Sequence, residues 1–369
     1  MTSHRALDLG RLKIRPLQER ESLSRAVDVL IDPDSPPPLL SGPLQESVQE
    51  CAERVRRARE KGAAVFLIYG AHLLRNGAAL IVDRLLEKNW VTHLATNGAG
   101  SIHDWEFAWS GVSTESVEKN VAAGTFGIWE ETAVCLHAAL LAGALDQLGY
   151  GAAVGRFICE NGAVLPDADS LAASLAREPR HPLASARADL LGALETGLLN
   201  PGPMHREHRH PEASILASAW RHGVPATVHP GIGYDIISNH PLFTGSAIGR
   251  AGGLDFRVFG ASADLLDDGV VLCIGSAVMG PQVFEKSLSC VNNLRLQEGR
   301  PIVHGHSIDV VDLQDNSGWD WSAGEPPKNH PAYYLRFCKS FSRMQAPMIY
   351  HQCDNVAFLH ALFAALTRP

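Results

Sequence analysis

Several features are scarce in this 369-residue chain, and each scarcity excludes something. No stretch approaches the roughly 20 apolar residues that cross a bilayer, so no membrane partner is expected. The opening MTSHRALDLGRLKIRP carries charges but lacks the apolar core of a signal peptide. The seven cysteines (51, 135, 159, 273, 290, 338 and 353) are scattered, odd in number and form no C-x-x-C. That pattern fits buried thiols in a reducing compartment, and a cytoplasmic protein is expected. Positive charge is in deficit: 32 Lys and Arg against 40 Asp and Glu give a net charge of -8. This argues against nucleic acid or an anionic membrane as the main partner. Lysine is rare beside arginine, 7 against 25, so each lysine can be weighed singly. Finally, no G-x-G-x-x-G occurs.

What remains is ordinary globular material, 46% apolar and 20% charged, long enough for one large domain or two. Residues 1–45 read as an N-terminal arm with one short helix, ending near the break Asp34-Ser35-Pro36-Pro37-Pro38. Val48, Cys51 and Val55 recur at helical spacing and predict an amphipathic helix over 44–61. Residues 63–69 are apolar on both faces, as a central parallel strand must be. A helix is predicted from there through Lys88, then a second strand over 91–96, which together make a βαβ unit. Strands follow at 224–228, 270–274 and 348–350, with helices ending at His222 and spanning 281–295 and 355–367. The alternation predicts a doubly wound, mainly parallel, Rossmann-like α/β sheet flanked by helices, in a single domain over 46–369. The region around 150–210 reads as an insertion, with 165–212 and 316–332 as loops.

In open α/β sheets, ligands bind beyond the carboxyl ends of the strands. Three such ends carry small residues: Gly70-Ala71, Asn97-Gly98-Ala99-Gly100 and Gly275-Ser276-Ala277. Missing side chains let a pyrophosphate approach backbone N–H groups and helix N-termini, although glycines also serve simple tight turns. The histidine set His205, His208 and His210 is interleaved with arginines that repel a cation, so no metal is expected. His304 and His306 alternate on a strand-like segment, which suits a structural role or proton transfer. No Ser-His-Asp or Cys-His nucleophile signature is visible.

The order of these pieces resembles the deoxyhypusine synthase family. Phe66 to Leu73 with Gly77 looks like that family's first cofactor segment, and Thr96-Asn97-Gly98-Ala99-Gly100 with Asp104 looks like its glycine loop. Pro211 to Pro230 is similar to its helix leading into a buried strand, and Gly275-Ser276-Ala277 stands where it has a glycine triplet. The resemblance covers about 50–105 and 210–365. It implies NAD as cofactor, with Ala71, His72, Thr96, Asn97, Gly98, Asp104, Asp235, Gly275, Ser276 and Asp354 as candidate contacts. It also implies a homotetramer and transfer of an alkylamine group from a polyamine-like amine to a protein lysine or to another amine.

Lys339, eleven residues before Tyr350, would carry that transfer as an imine. An imine needs a neutral amine, and Phe337, Cys338 and Phe341 would lower the lysine pKa by disfavouring its charge. His103 and Asp320 join it as catalytic candidates. Asp315, Trp319, Trp321 and His240 are candidates for gripping a cationic amine, the tryptophans by cation–π attraction. The chain departs from the family pattern at His103, His72, Cys338 and His240, where a carboxylate gripping a polyamine is missing or moved. Two further readings stay open. One is an NAD-dependent enzyme acting on another amine or amino acid without a lysine imine. The other is a non-catalytic nucleotide-binding oligomer.

Overall fold

The computed structural model describes residues 4–367. Six strands form one sheet: β1 (Val65–Tyr69), β2 (His93–Asn97), β3 (Ala226–His229), β4 (Val270–Ile274), β5 (Ser307–Asp312) and β6 (Met348–Gln352). Every pairing is parallel, and the spatial order is β3-β2-β1-β4-β5-β6. The expected doubly wound parallel sheet is therefore present. Its order reverses between β1 and β4, where Val65 pairs with Val270 and Tyr69 with Ile274.

Successive residues of β1 face opposite sides, and both sides are filled. Val65, Leu67 and Tyr69 join the core built on α1 (Gly42–Glu60), α3 (Ala79–Glu87), α5 (Ile215–His222) and α9 (Asn355–Thr367). Phe66 and Ile68 join the core of α6 (Gly245–Ala263), α7 (Met279–Gln297) and α8 (Arg336–Ser342), around Phe259, Phe284 and Phe341. Two further helices matter for the site: α2 (Ala71–Arg75), directly after β1, and α4 (Gly98–Ser110), directly after β2.

The helix expected to run through Lys88 is broken into α2 and α3. Gly77 sits between them at φ +89, where a Cβ would lie 1.8 Å from the Val29 carbonyl oxygen. The N-terminal arm crosses there, with Ile31 N–H donating to Gly77 O at 3.1 Å. The arm also pairs Ser24–Arg25 antiparallel with Val112–Ser113. Residues expected to be loops around 165–212 hold helices Ala168–Arg177 and Ala184–Glu195, closed by a hairpin of Gly162–Leu165 with Gly202–His205.

β5 was not expected as a strand, because its sequence carries Asp309. That carboxylate is fully buried, 2.6 Å from an Arg54 guanidinium nitrogen and 2.8 Å from His351 Nε2. All seven cysteines are free. Among the described residues, no single helix is long and apolar enough to cross a membrane.

Candidate functional site

The switch point between β1 and β4 is built by two glycines in contact. A Cβ on Gly70 would lie 2.1 Å from the Gly275 carbonyl oxygen. Gly275 itself takes φ +63, and a Cβ there would lie 2.3 Å from Asn355 Nδ2. A larger residue at Gly70 would separate the strand ends, and one at Gly275 would strain the backbone and displace the Asn355 amide. After Gly275, the Ser276 N–H is turned to the Cys273 thiol and Ser276 Oγ accepts from Gly280 N–H at 3.1 Å, while the N–H groups of Ala277 and Val278 make no backbone hydrogen bond among the described residues. Asn355 Oδ1 is buried and unpaired. This cradle of absent side chains and open backbone donors fits the backbone-on-pyrophosphate mode by which such folds hold dinucleotides, and the orphaned Asn355 Oδ1, an acceptor, suits a ribose hydroxyl. His72, at the start of α2, is exposed beside it, and Ala71 is half-buried.

A cleft of about 210 Å³ opens beyond β1, β2 and β3. Its walls include Arg75 from α2, Ala99, His103 and Glu106 from α4, Arg20 from the arm, Thr114, and Tyr234 and Asp235 from the loop after β3. α2 links the two places. Ala71 starts it at the switch point and Arg75 ends it in the cleft, about 6 Å along the helix axis at the usual rise.

Proton-carrying groups form a chain inside this cleft. Glu106 is fully buried and accepts from both Arg20 guanidinium nitrogens, at 2.7 and 2.9 Å. It also accepts from Thr132 Oγ1 at 2.9 Å and Ser113 Oγ at 2.5 Å. Burial would raise its pKa, but Arg20 outweighs that and holds it below the usual carboxylate range. Ser113 has one proton and gives it to Glu106, so His103 Nδ1, 2.7 Å from Ser113 Oγ, must be the donor in that pair. The assignment leaves Nε2 of His103 with its lone pair free. Burial lowers the His103 pKa to about 4, so the ring is neutral at physiological pH. Thr114, next to Ser113, holds φ +71, a costly conformation for a β-branched residue. Leu23 N–H and Ser24 Oγ of the arm bond its carbonyl and hydroxyl.

The other expected site residues lie elsewhere or are already committed. Thr96 is buried and donates to Tyr69 O at 3.0 Å. Asn97 Oδ1 accepts from Gly100 N–H at 2.9 Å, capping α4. The N–H groups of Gly98 and Ala99 bond the Asp235 carboxylate, which also accepts from Gly231 N–H at 2.6 Å. A phosphate cannot share that helix end, so the glycine loop after β2 is closed to an anion in this structure. Asp104 is fully buried and caps α5 through Ile215 N–H at 2.7 Å and Ser214 Oγ. Asp354 caps α9 through Val356 and Ala357 N–H. His240 is buried against His137, with ring centroids 6.1 Å apart.

Asp315 and Asp320 bond backbone N–H groups of their own turns, at Ser317 and Ser322. Trp321 belongs to the core around Phe341, and Trp319 packs on His330 with its Nε1 donating to Gly324 O. Among the described residues no group of three His, Cys, Asp or Glu side chains is arranged to hold a metal.

Lys339 contradicts its expected chemistry. Its Nζ lies 2.9 Å from Glu325 Oε1 and 3.4 Å from the centroid of the Tyr333 ring. The Glu325 hydrogen bond raises its pKa, so the amine is held as an ammonium rather than made neutral.

Arg75, Arg20, Glu106, Ser113 and Tyr234 were not anticipated as site residues. The position of Arg75 just after a glycine-ended strand was the one readable signal.

No family model matches the chain, and no curated protein matches it. Solved structures do match it weakly. The complex of AgrE with ornithine and NAD+ is 14% identical, with a TM-score of 0.43 over 89% of this chain and 34% of that one. Apo ArgZ, an arginine dihydrolase from the ornithine-ammonia cycle in cyanobacteria, is 13% identical, with a TM-score of 0.40 over 88% and 33%. A conserved putative LOR/SDH protein from Methanococcus maripaludis is 13% identical, with a TM-score of 0.41 over 96% and 76%. The chain spans about a third of the length of the AgrE and ArgZ chains. A likeness this distant carries no argument about activity. These neighbours are arginine dihydrolase and LOR/SDH proteins, not deoxyhypusine synthases, and the family resemblance is corrected accordingly. The lysine imine, the polyamine and the tetramer rested on that resemblance and have no other support.

Proposed function

We propose that the chain is an NAD-dependent enzyme acting on a small amine or amino acid, without a lysine imine. The observation that carries this reading is the His103 relay, which opens a neutral imidazole Nε2 onto a cleft one short helix away from the Gly70–Gly275 crevice. Gly70, Gly275, the N–H groups of Ala277 and Val278 and Asn355 would hold the dinucleotide. Bound there, NAD would supply the acceptor for the electron pair of the substrate C–H bond. His103 Nε2 takes the proton released from the substrate nitrogen. Ser113 and Glu106 fix the imidazole tautomer, and the Glu106 charge stabilises the imidazolium that forms. Arg20 of the arm and Tyr234 add to the cleft walls.

Calorimetric titration with NAD+, followed by absorbance of the reduced cofactor with a panel of amines and amino acids, tests the reading. NAD binding and substrate-dependent reduction are expected. No binding of NAD to the folded wild-type protein would overturn it.

A further inference from the structure

We infer that Arg75 anchors a carboxylate, so that the cleft takes a zwitterionic α-amino acid in preference to a simple amine. This deepens the proposed function and rests on that reading for the identity of the site, although the binding it describes is measured independently of NAD.

The argument is an inventory of charge. Six side chains bearing a carboxylate, a guanidinium or an imidazole line the cleft: Arg20, Arg75, His103, Glu106, Glu115 and Asp235. Arg20 and Glu106 neutralise each other. Glu115 accepts from Asn120 Nδ2 at 2.5 Å, Trp129 Nε1 at 2.9 Å and Gly127 N–H at 3.2 Å. Asp235 accepts from backbone N–H groups. His103 is a neutral ring that offers a lone pair. Arg75 alone among the six makes no hydrogen bond or ion pair among the described residues, and its Nε is shut off from water without a partner.

A guanidinium left unsatisfied in a cleft costs free energy unless a ligand completes it, and its planar fork matches a carboxylate. Asp235 and Glu115 add negative charge to the same walls, which suits an ammonium group on the same molecule. A diamine would leave Arg75 unpaired and repel it.

Size and lining agree with this. At about 30 Å³ per water, the cleft has the room of about seven waters, enough for a compact amino acid. Ile102, Val117, Phe126 and Ile236 give an aliphatic side chain an apolar wall.

The test is binding by calorimetry and ligand-observed NMR, with the full chain and no NAD. The probes are the common L-α-amino acids, each beside its decarboxylated amine and its deaminated acid. The expected result is that at least one amino acid binds more than about tenfold tighter than its amine, and that Arg75→Met removes this preference. Arg75→Lys restores part of it, while melting temperature and NAD affinity stay unchanged in both variants. Amines binding as tightly as their amino acids, no binding of any amino acid, or undiminished binding by Arg75→Met would each overturn the inference. NAD affinity is read separately. Loss of that affinity in the wild type with Arg75-dependent binding intact sinks the proposed function alone, and the converse pattern sinks this inference alone.

Discussion

His103 Nδ1 lies 2.7 Å from Ser113 Oγ, and the hydroxyl has already given its only proton to Glu106. The imidazole is therefore the donor, and its second nitrogen keeps a free lone pair, the base of the proposed reaction. His103→Gln is expected to lower turnover by about 10²- to 10⁴-fold, the usual worth of a general base, with NAD affinity unchanged. Ser113→Ala frees the tautomer and is expected to cost less. Steady-state rates beside NAD titrations check both.

Arg20 and Glu106 form an ion pair whose side chains are 2% and 1% exposed. Removing one partner leaves an uncompensated buried charge. Arg20→Met is expected to destabilise the fold by about 3–5 kcal/mol in urea denaturation, whereas exposed pairs such as Lys119 with Glu21 contribute little.

Lys339 gives the clearest contrast with the imine expectation. Lys339→Ala is expected to leave NAD-linked turnover within about threefold of wild type, since the ammonium serves Glu325 and Tyr333. Borohydride trapping with substrate should leave no added mass on Lys339. A trapped adduct would restore the imine.

Stability should fall as the solution is acidified. Burial lowers the pKa of His93 to about 3, and of His103, His137, His208, His229, His240 and His306 to about 4. Between about pH 6.5 and 4 the unfolded chain binds protons at these seven sites that the folded chain does not, so stability rises with pH there. Asp104 and Asp255, raised by burial to about 7, act in the opposite sense between about pH 4 and 7. Asp235, also raised by burial, acts with them; seven sites oppose three, and the melting temperature is expected to drop from pH 6.5 to 5. A flat or rising profile would contradict the buried neutral histidines.

Much of the fold was legible in the sequence because β1 and β4 are uninterrupted apolar runs ending in small residues, and β2 and β3 are short buried segments that alternate with helical patterns. β5 was not, because Asp309 in its middle is buried only by virtue of Arg54 and His351, which lie far away in sequence. The site was legible in part. Gly70, Gly275 and Ser276 do meet the switch point, and His103 does face the cleft. The Thr96–Gly100 loop reads the same as they do, yet its donors are taken by Asp235, more than a hundred residues on. Arg20 carries no local pattern, and Arg75 only its place just after a glycine-ended strand. One arrives from the arm and the other depends on where Gly77 breaks a helix.

The measurement that bears most directly on the central claim is a crystal structure of the protein with NAD. The account predicts the pyrophosphate against Gly70 and Gly275–Val278, with Asn355 Oδ1 engaged and the nicotinamide turned toward His103 and Arg75. A dinucleotide lying instead along the loop after β2 or beside Lys339, or no bound dinucleotide at saturating concentration, would contradict it.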